Sequence, residues 1–93
     1  MSTTTKRKSK SKIDQIKSNP FRLILNNDDK NSFDWVITCL VKICKHEYEQ
    51  ASQVAHIVHY KGKCDIKYGT KEELTEMKDK LRSSGLSVTL VEN

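Results

Sequence analysis

Hydrophobic residues along the chain fall into short clusters whose spacing changes from one to the next. Phe21-Arg22-Leu23-Ile24-Leu25 is a brief apolar run after Pro20, which predicts a strand from Phe21 to Asn26. Asn26-Asn27-Asp28-Asp29 ends it abruptly. Acids and amides at the end of a buried strand belong on a loop, where their acceptors can face a ligand. Asn31 is expected to be a helix N-cap, with Asp34 three residues on in the position of a capping-box acid. From Ser32 to about Cys44, Phe33, Val36, Ile37, Leu40, Ile43 and Cys44 recur at helical spacing. Trp35, Cys39 and Val41 make this helix apolar nearly all round, so it is expected to be mostly buried. Lys45-His46-Glu47 reads as a break. A second helix then runs from about Glu47 to Tyr60, with Ala51, Val54, Ala55 and Val58 on its inner face, and Gly62 terminates it. Cys64, Ile66 and Tyr68 alternate with polar residues as a half-exposed strand. Thr70 and Glu73 have capping-box spacing and open a third helix that buries Leu74, Met77 and Leu81 and stops at Gly85. Leu86, Val88 and Leu90 alternate as a last strand.

The order is βααβαβ. This α+β pattern is most simply layered as a three-stranded antiparallel sheet with three helices packed on one side. At 93 residues the chain is one domain at most. Residues 1–18, rich in Ser, Thr and Lys, bury too little to repay the entropy of ordering, so they are expected to form a disordered basic extension. Asn19-Pro20 marks the boundary of a folded domain over 19–93, because proline disfavours helix in the residue before it. The charge follows the same division. Lys6, Arg7, Lys8, Lys10, Lys12 and Lys17 against Asp14 supply the entire formal excess of +5, and the body is neutral.

That division limits the function classes. The body gives no charge-based reason to expect nucleic-acid binding. The tail Lys6-Arg7-Lys8-Ser9-Lys10-Ser11-Lys12 could serve as a nucleic-acid arm, but it has no aromatic residue on which bases could stack. No apolar run approaches the ~20 residues of a membrane span, and no secretory pattern opens the chain, so the cytoplasm is the expected location. Cys39, Cys44 and Cys64 are an odd number and are expected to be reduced thiols. They form no CxxC pair, and His56 and His59 alone do not make a zinc site, so no metal is expected. Nothing signals the orienting group or oxyanion site that Cys–His catalysis needs, so no enzymatic activity is expected. Taken alone, Asn27-Asp28-Asp29 reads equally as a turn, and His59 as a helix-end histidine beside the dipole.

Several of these features occur together in a particular order: Asn27-Asp28-Asp29 after the apolar strand, a helix led by Phe33, Val58-His59-Tyr60 followed by Gly62-Lys63, and Leu86 opening the last strand. In order and separation they resemble the ClpS family, bacterial adaptors that hand N-degron substrates to a Clp protease. The resemblance covers roughly Asn19 to the C-terminus. It implies a non-enzymatic, cofactor-free adaptor that binds the first residue of a protein when that residue is large and apolar. An α-ammonium, with an ordinary pKa of about 7.7–8.0, donates and does not accept, so its site needs converging acceptors. The resemblance assigns that role to Asn27, Asp28 and His59, and the side-chain pocket to Asp29, Asn31, Phe33, Val36, Ala55, Val58 and Leu86. His59 would have to present an unprotonated nitrogen, so binding is expected to weaken as pH falls. The implied partners are N-degron substrates and the N-terminal domain of a ClpA- or ClpC-type AAA+ unfoldase, docked through Glu72 and Met77. A monomer is expected. The basic extension fits a delivery segment, although the family does not imply its lysines.

The match has departures. Asn31-Ser32-Phe33-Asp34 replaces a Thr-Pro-Met-Glu turn, and Phe33 makes that pocket wall stiffer and flatter. Ala55 stands where better-known members carry a Met that narrows the pocket mouth, which predicts easier entry for Ile or Val. Met77 stands where a Lys is common. The alternative reading is a small RNA- or ribosome-associated α/β protein acting through its tail. Only the adaptor reading requires Asn27, Asp28 and His59 to converge.

Overall fold

The computed structural model describes residues 20–93, so the expected extension over 1–18 lies outside the described residues. The element order is β1 (Phe21–Asn26), α1 (Phe33–Ile43), α2 (Tyr48–Lys61), β2 (Lys63–Gly69), α3 (Lys71–Ser83) and β3 (Ser87–Glu92). β1 is the central strand and pairs antiparallel with β2 on one side and β3 on the other. This is the expected α+β fold: a three-stranded antiparallel sheet with helices packed against it. The most apolar strand takes the middle place because only there are both edges hydrogen-bonded and Leu23 and Leu25 fully covered. Those two leucines join Leu40, Ala51, Val58, Leu74, Leu81 and Val88 in one core.

The pairing of β1 with β2 slips by one residue. Leu23 faces Lys67 and Ile24 faces Asp65, so Ile66 is the extra residue of a bulge. The bulge corrects the expected alternation. Tyr68 does not share a face with Cys64 and Ile66. It pairs with Arg22 on the opposite face, where its hydroxyl donates to Asp65 at 2.8 Å and Arg22 forms an ion pair with the same carboxylate at 3.5 Å.

The helix ends combine local and distant causes. α3 opens with the predicted capping box, Glu73 N–H donating to the Thr70 hydroxyl at 3.2 Å and Thr70 N–H to the Glu73 carboxylate at 3.3 Å. α2 stops at Gly62, whose φ of 93° lets its N–H reach back to the Val58 carbonyl at 2.8 Å. Between α1 and α2, Lys45 takes a φ of 63°, which makes the predicted break. The cap of α1 is a correction. Ser32, not Asn31, is the N-cap, its hydroxyl accepting from Trp35 N–H at 3.1 Å. This puts Trp35 at the third helical position, so Asp34 falls one residue short of a capping box.

α1 is also less buried than its composition suggests. Ile37, Cys39 and Leu40 are covered, but Trp35 remains 44% exposed and Phe33 lies at the surface. α3 buries Leu74 and Leu81 completely and Met77 only in part. Cys39 and Cys44 are buried and Cys64 half-buried, all free. Burial pushes all three thiols up, Cys44 to about 11, so they are held as thiols rather than reactive thiolates.

Candidate functional site

A cavity of about 330 Å³ opens where β1 runs into the loop that precedes α1. Its apolar lining comes from separate elements: Leu25 from β1, Val36 from α1, Ala55 and Val58 from α2, and Leu86 ahead of β3. Its polar lining is Asn26, Asn27, Asp28, Asp29, Asn31, Ser32 and His59, with Phe33 beside them. Leu25, Ala55, Val58 and Leu86 are buried, whereas Asn27, Asp29 and His59 are exposed. A greasy floor therefore lies beneath a polar rim.

Two kinds of contact hold the rim. Asn27 N–H donates to the Gly62 carbonyl at 2.8 Å, which joins the end of β1 to the end of α2 and brings Asn27 toward His59. Asp28 closes its own loop. Its Oδ1 accepts from Lys30 N–H at 2.9 Å, from Asn31 N–H at 3.1 Å and from Asn31 Nδ2 at 3.0 Å, whereas Oδ2 accepts only from Asn31 Nδ2, at 3.0 Å. Oδ2 thus keeps acceptor capacity for an incoming cation. Asn31 also donates to the Gly85 carbonyl at 2.9 Å, and Trp35 Nε1 to the Ser84 carbonyl at 2.9 Å. These bonds pin the turn that delivers Leu86 to the floor. They also explain the corrected cap: the Asn31 amide is engaged elsewhere, and the next hydroxyl takes the helix. The His59 ring packs edgewise against Phe33 at 5.4 Å and against Tyr60 at 5.2 Å between centroids.

Every residue assigned to the ammonium site or to the side-chain pocket lines this one cavity: Asn27, Asp28 and His59, with Asp29, Asn31, Phe33, Val36, Ala55, Val58 and Leu86. Leu25, Asn26 and Ser32 line it as well and were not anticipated. The signal for Leu25 and Asn26 was their place at the strand end, next to Asn27. Ser32 gave none beyond its position at a helix start. Glu72 and Met77 both lie on α3, outside the cavity lining. Glu72 borders a shallow depression with Lys71, Thr75, Glu76 and Asp79, and Met77 packs partly into the core. Among the described residues no group of three His, Cys, Asp or Glu side chains could hold a metal ion. No helix among them is long and apolar enough to cross a membrane.

Comparison with known proteins identifies the family. A family model described as ATP-dependent Clp protease adaptor protein ClpS matches residues 5–89. The chain belongs to the ClpS family. It is 40% identical over 52 residues to the ATP-dependent Clp protease adapter protein ClpS of Serratia proteamaculans, which is 55% of this chain and 49% of that protein. It is 42% identical over 43 residues to the corresponding ClpS protein of Erwinia tasmaniensis, which is 46% of this chain and 41% of that one. These matches span about half, or less, of the length of the curated relatives. The fold is similar to that of Agrobacterium tumefaciens ClpS2 solved with L-phenylalaninamide, with a TM-score of 0.69 and 17% identity, covering 81% of this chain and 98% of that one. Within the ClpS fold, the cavity lies between the end of the central strand and the C-terminal turns of α2.

Proposed function

We propose that this ClpS-family protein is an adaptor that binds proteins by a large hydrophobic first residue and passes them to a ClpA- or ClpC-type AAA+ unfoldase for degradation. The observation that carries this reading is the convergence of Asn27, Asp28 and His59 on the rim of a cavity whose floor is Leu25, Ala55, Val58 and Leu86. A free N-terminus is an ammonium with three donors attached to a side chain, and the cavity offers a match for each part. The Asn27 side-chain carbonyl, Asp28 Oδ2 and an unprotonated His59 nitrogen accept the three hydrogens. The first side chain drops onto the apolar floor, where burial of a Leu- or Phe-sized group contributes about 1.5–3 kcal/mol. The L-phenylalaninamide bound by the Agrobacterium relative has this chemistry, an amine beside an apolar side chain, and supports the reading.

Recognition and delivery use different surfaces. Substrate enters at the end of β1, and the unfoldase N-terminal domain docks on α3 around Glu72 and Met77. The basic residues 1–18 form the delivery segment. The adaptor works as a cytoplasmic monomer without cofactor and performs no chemistry of its own. The small side chain of Ala55 leaves room in the pocket, so first residues branched at Cβ enter as well.

The test is fluorescence anisotropy with short peptides that differ only at residue one: Leu, Phe, Trp, Tyr, Ile, Val and Met, with acetyl-Phe as the control. Micromolar or tighter binding of Leu- or Phe-led peptides, abolished by acetylation, is expected. Acetylation removes the charge and adds bulk at the rim, so retained binding by acetyl-Phe would remove the ammonium site from the reading. Equal rejection of Ile- and Val-led peptides would remove the role given to Ala55. If no peptide binds, the cluster is structural and the basic tail becomes the surface to test, with RNA as the probe.

A further inference from the structure

A chain of rings borders the cavity and extends beyond it. His56 is exposed and does not line the cavity, yet its ring is fixed at two points. His56 Nδ1 lies 2.9 Å from the Ser52 carbonyl one turn back on α2. A carbonyl only accepts, so Nδ1 carries the proton and donates. The ring also meets Phe33 at 4.9 Å between centroids with the planes at 81°. Phe33 in turn meets His59 at 5.4 Å and 77°, and His59 meets Tyr60 at 5.2 Å and 79°. All three pairs lie in the separation and near-perpendicular geometry at which aromatic rings attract.

Phe33 is the first residue of α1 and 36% exposed, so its ring depends on neighbouring elements for restraint. The imidazoles of His56 and His59 supply that restraint from α2. Phe33 is also the only Phe, Tyr or Trp among the residues lining the cavity. We infer that His56 is a positioning residue of this site: held by Ser52, it braces Phe33 as an aromatic wall and so biases the pocket toward aromatic over branched aliphatic first residues. The inference rests on the N-terminal-residue reading above. Both guest types gain from the floor, but only an aromatic guest gains a ring–ring contact with a wall held in place. That contact corresponds to a preference of about two- to tenfold.

The experiment compares Phe-led, Leu-led and acetyl-Phe-led peptides on the wild-type chain, His56→Ala and His56→Phe, reading Kd by anisotropy. The wild type is expected to bind the Phe-led peptide about two- to tenfold tighter than the Leu-led one. His56→Ala should bring that ratio to about one and leave Leu-led binding within about twofold, and His56→Phe should restore the preference. The ratio separates positioning from general loosening, which would weaken both peptides alike. A ratio unmoved in His56→Ala, or a wild-type ratio at or below one, overturns the inference while amine-dependent binding still supports the wider reading. If neither free-amine peptide binds, or acetylation makes no difference, the wider reading fails and the inference with it.

Discussion

Two histidines show how placement decides the use of one side-chain type. His59 stands exposed at the rim, held by ring contacts, with its nitrogens open to a ligand. In the proposed role of ammonium acceptor its ring nitrogen contributes a charge-assisted hydrogen bond, so His59→Ala should weaken a Leu-led peptide about tenfold or more by anisotropy, and an unchanged Kd would rule the role out. His46 is only 5% exposed, with Nε2 donating to the Ile66 carbonyl at 2.9 Å and Nδ1 without a hydrogen-bond partner among the described residues. Burial, more than the nearby Lys67 charge, holds its pKa below the usual histidine range, and the bond to Ile66 offsets only part of this. Above the unfolded value of about 6.5 both states carry a neutral ring and full stability is present. As pH falls below that, the unfolded chain takes up a proton that the folded chain resists, so stability declines until the folded value is passed. Urea midpoints between about pH 7.5 and about pH 5 should therefore decrease, and the slope should diminish in His46→Gln. An identical slope in that variant would assign the pH dependence to other groups.

At the scale of elements, each end of a helix or strand that shapes the cavity serves a second element as well. Gly62 ends α2, and its carbonyl accepts from Asn27 N–H. A Cβ at Gly62 would meet nothing within 4 Å, so a substitution there acts through the backbone angle alone. Gly62→Ala should lower stability by about 1–2 kcal/mol, the cost of a left-handed residue with a Cβ. Gly62→Asn should lower it less, since asparagine tolerates that conformation. The same strain at the Asn27 anchor should weaken peptide binding in the same order, measured by urea midpoint and anisotropy together. The turn after α3 is held in a similar way, by Asn31 and Trp35 donating to Gly85 and Ser84. This accounts for the exposure of Trp35: its indole N–H is directed at a surface turn rather than into the core.

Across the whole molecule, the proposed recognition and docking surfaces are built differently. The cavity needs convergence of several elements, whereas the α3 surface is a single helix face bearing Glu72, Glu76 and Asp79. Glu72 is exposed and lines no part of the cavity. Glu72→Lys should therefore leave peptide Kd within about twofold while impairing unfoldase-dependent degradation of an N-degron reporter, because surface charge acts on the partner and little on the fold. A variant that lost peptide binding to the same extent as delivery would show that the two surfaces are not separate.

Local rules explain what was legible in the sequence. The Thr70–Glu73 box, the stop at Gly62, the break at Lys45 and the inner face Ala51, Val54, Ala55 and Val58 each depend on residues within one or two turns of one another. The order of elements and the βααβαβ fold follow from them, and the resemblance carried by the motif order around Asn27-Asp28-Asp29 and His59 named ten of the thirteen residues that line the cavity, leaving out Leu25, Asn26 and Ser32. The three corrections share a different physical origin. Asn31 yields the cap to Ser32 because Asp28 and Gly85, the latter 54 residues away, engage its amide. Trp35 stays at the surface because its N–H bonds the Ser84 carbonyl. Tyr68 changes face because β1 and β2 pair with a bulge at Ile66. Periodicity and capping are properties of neighbours in the chain, and the sequence determined those by itself. Which distant donor meets which acceptor, and whether His56 reaches Phe33, depended on the packing of α1, α2 and the sheet, and only the tertiary structure decided it.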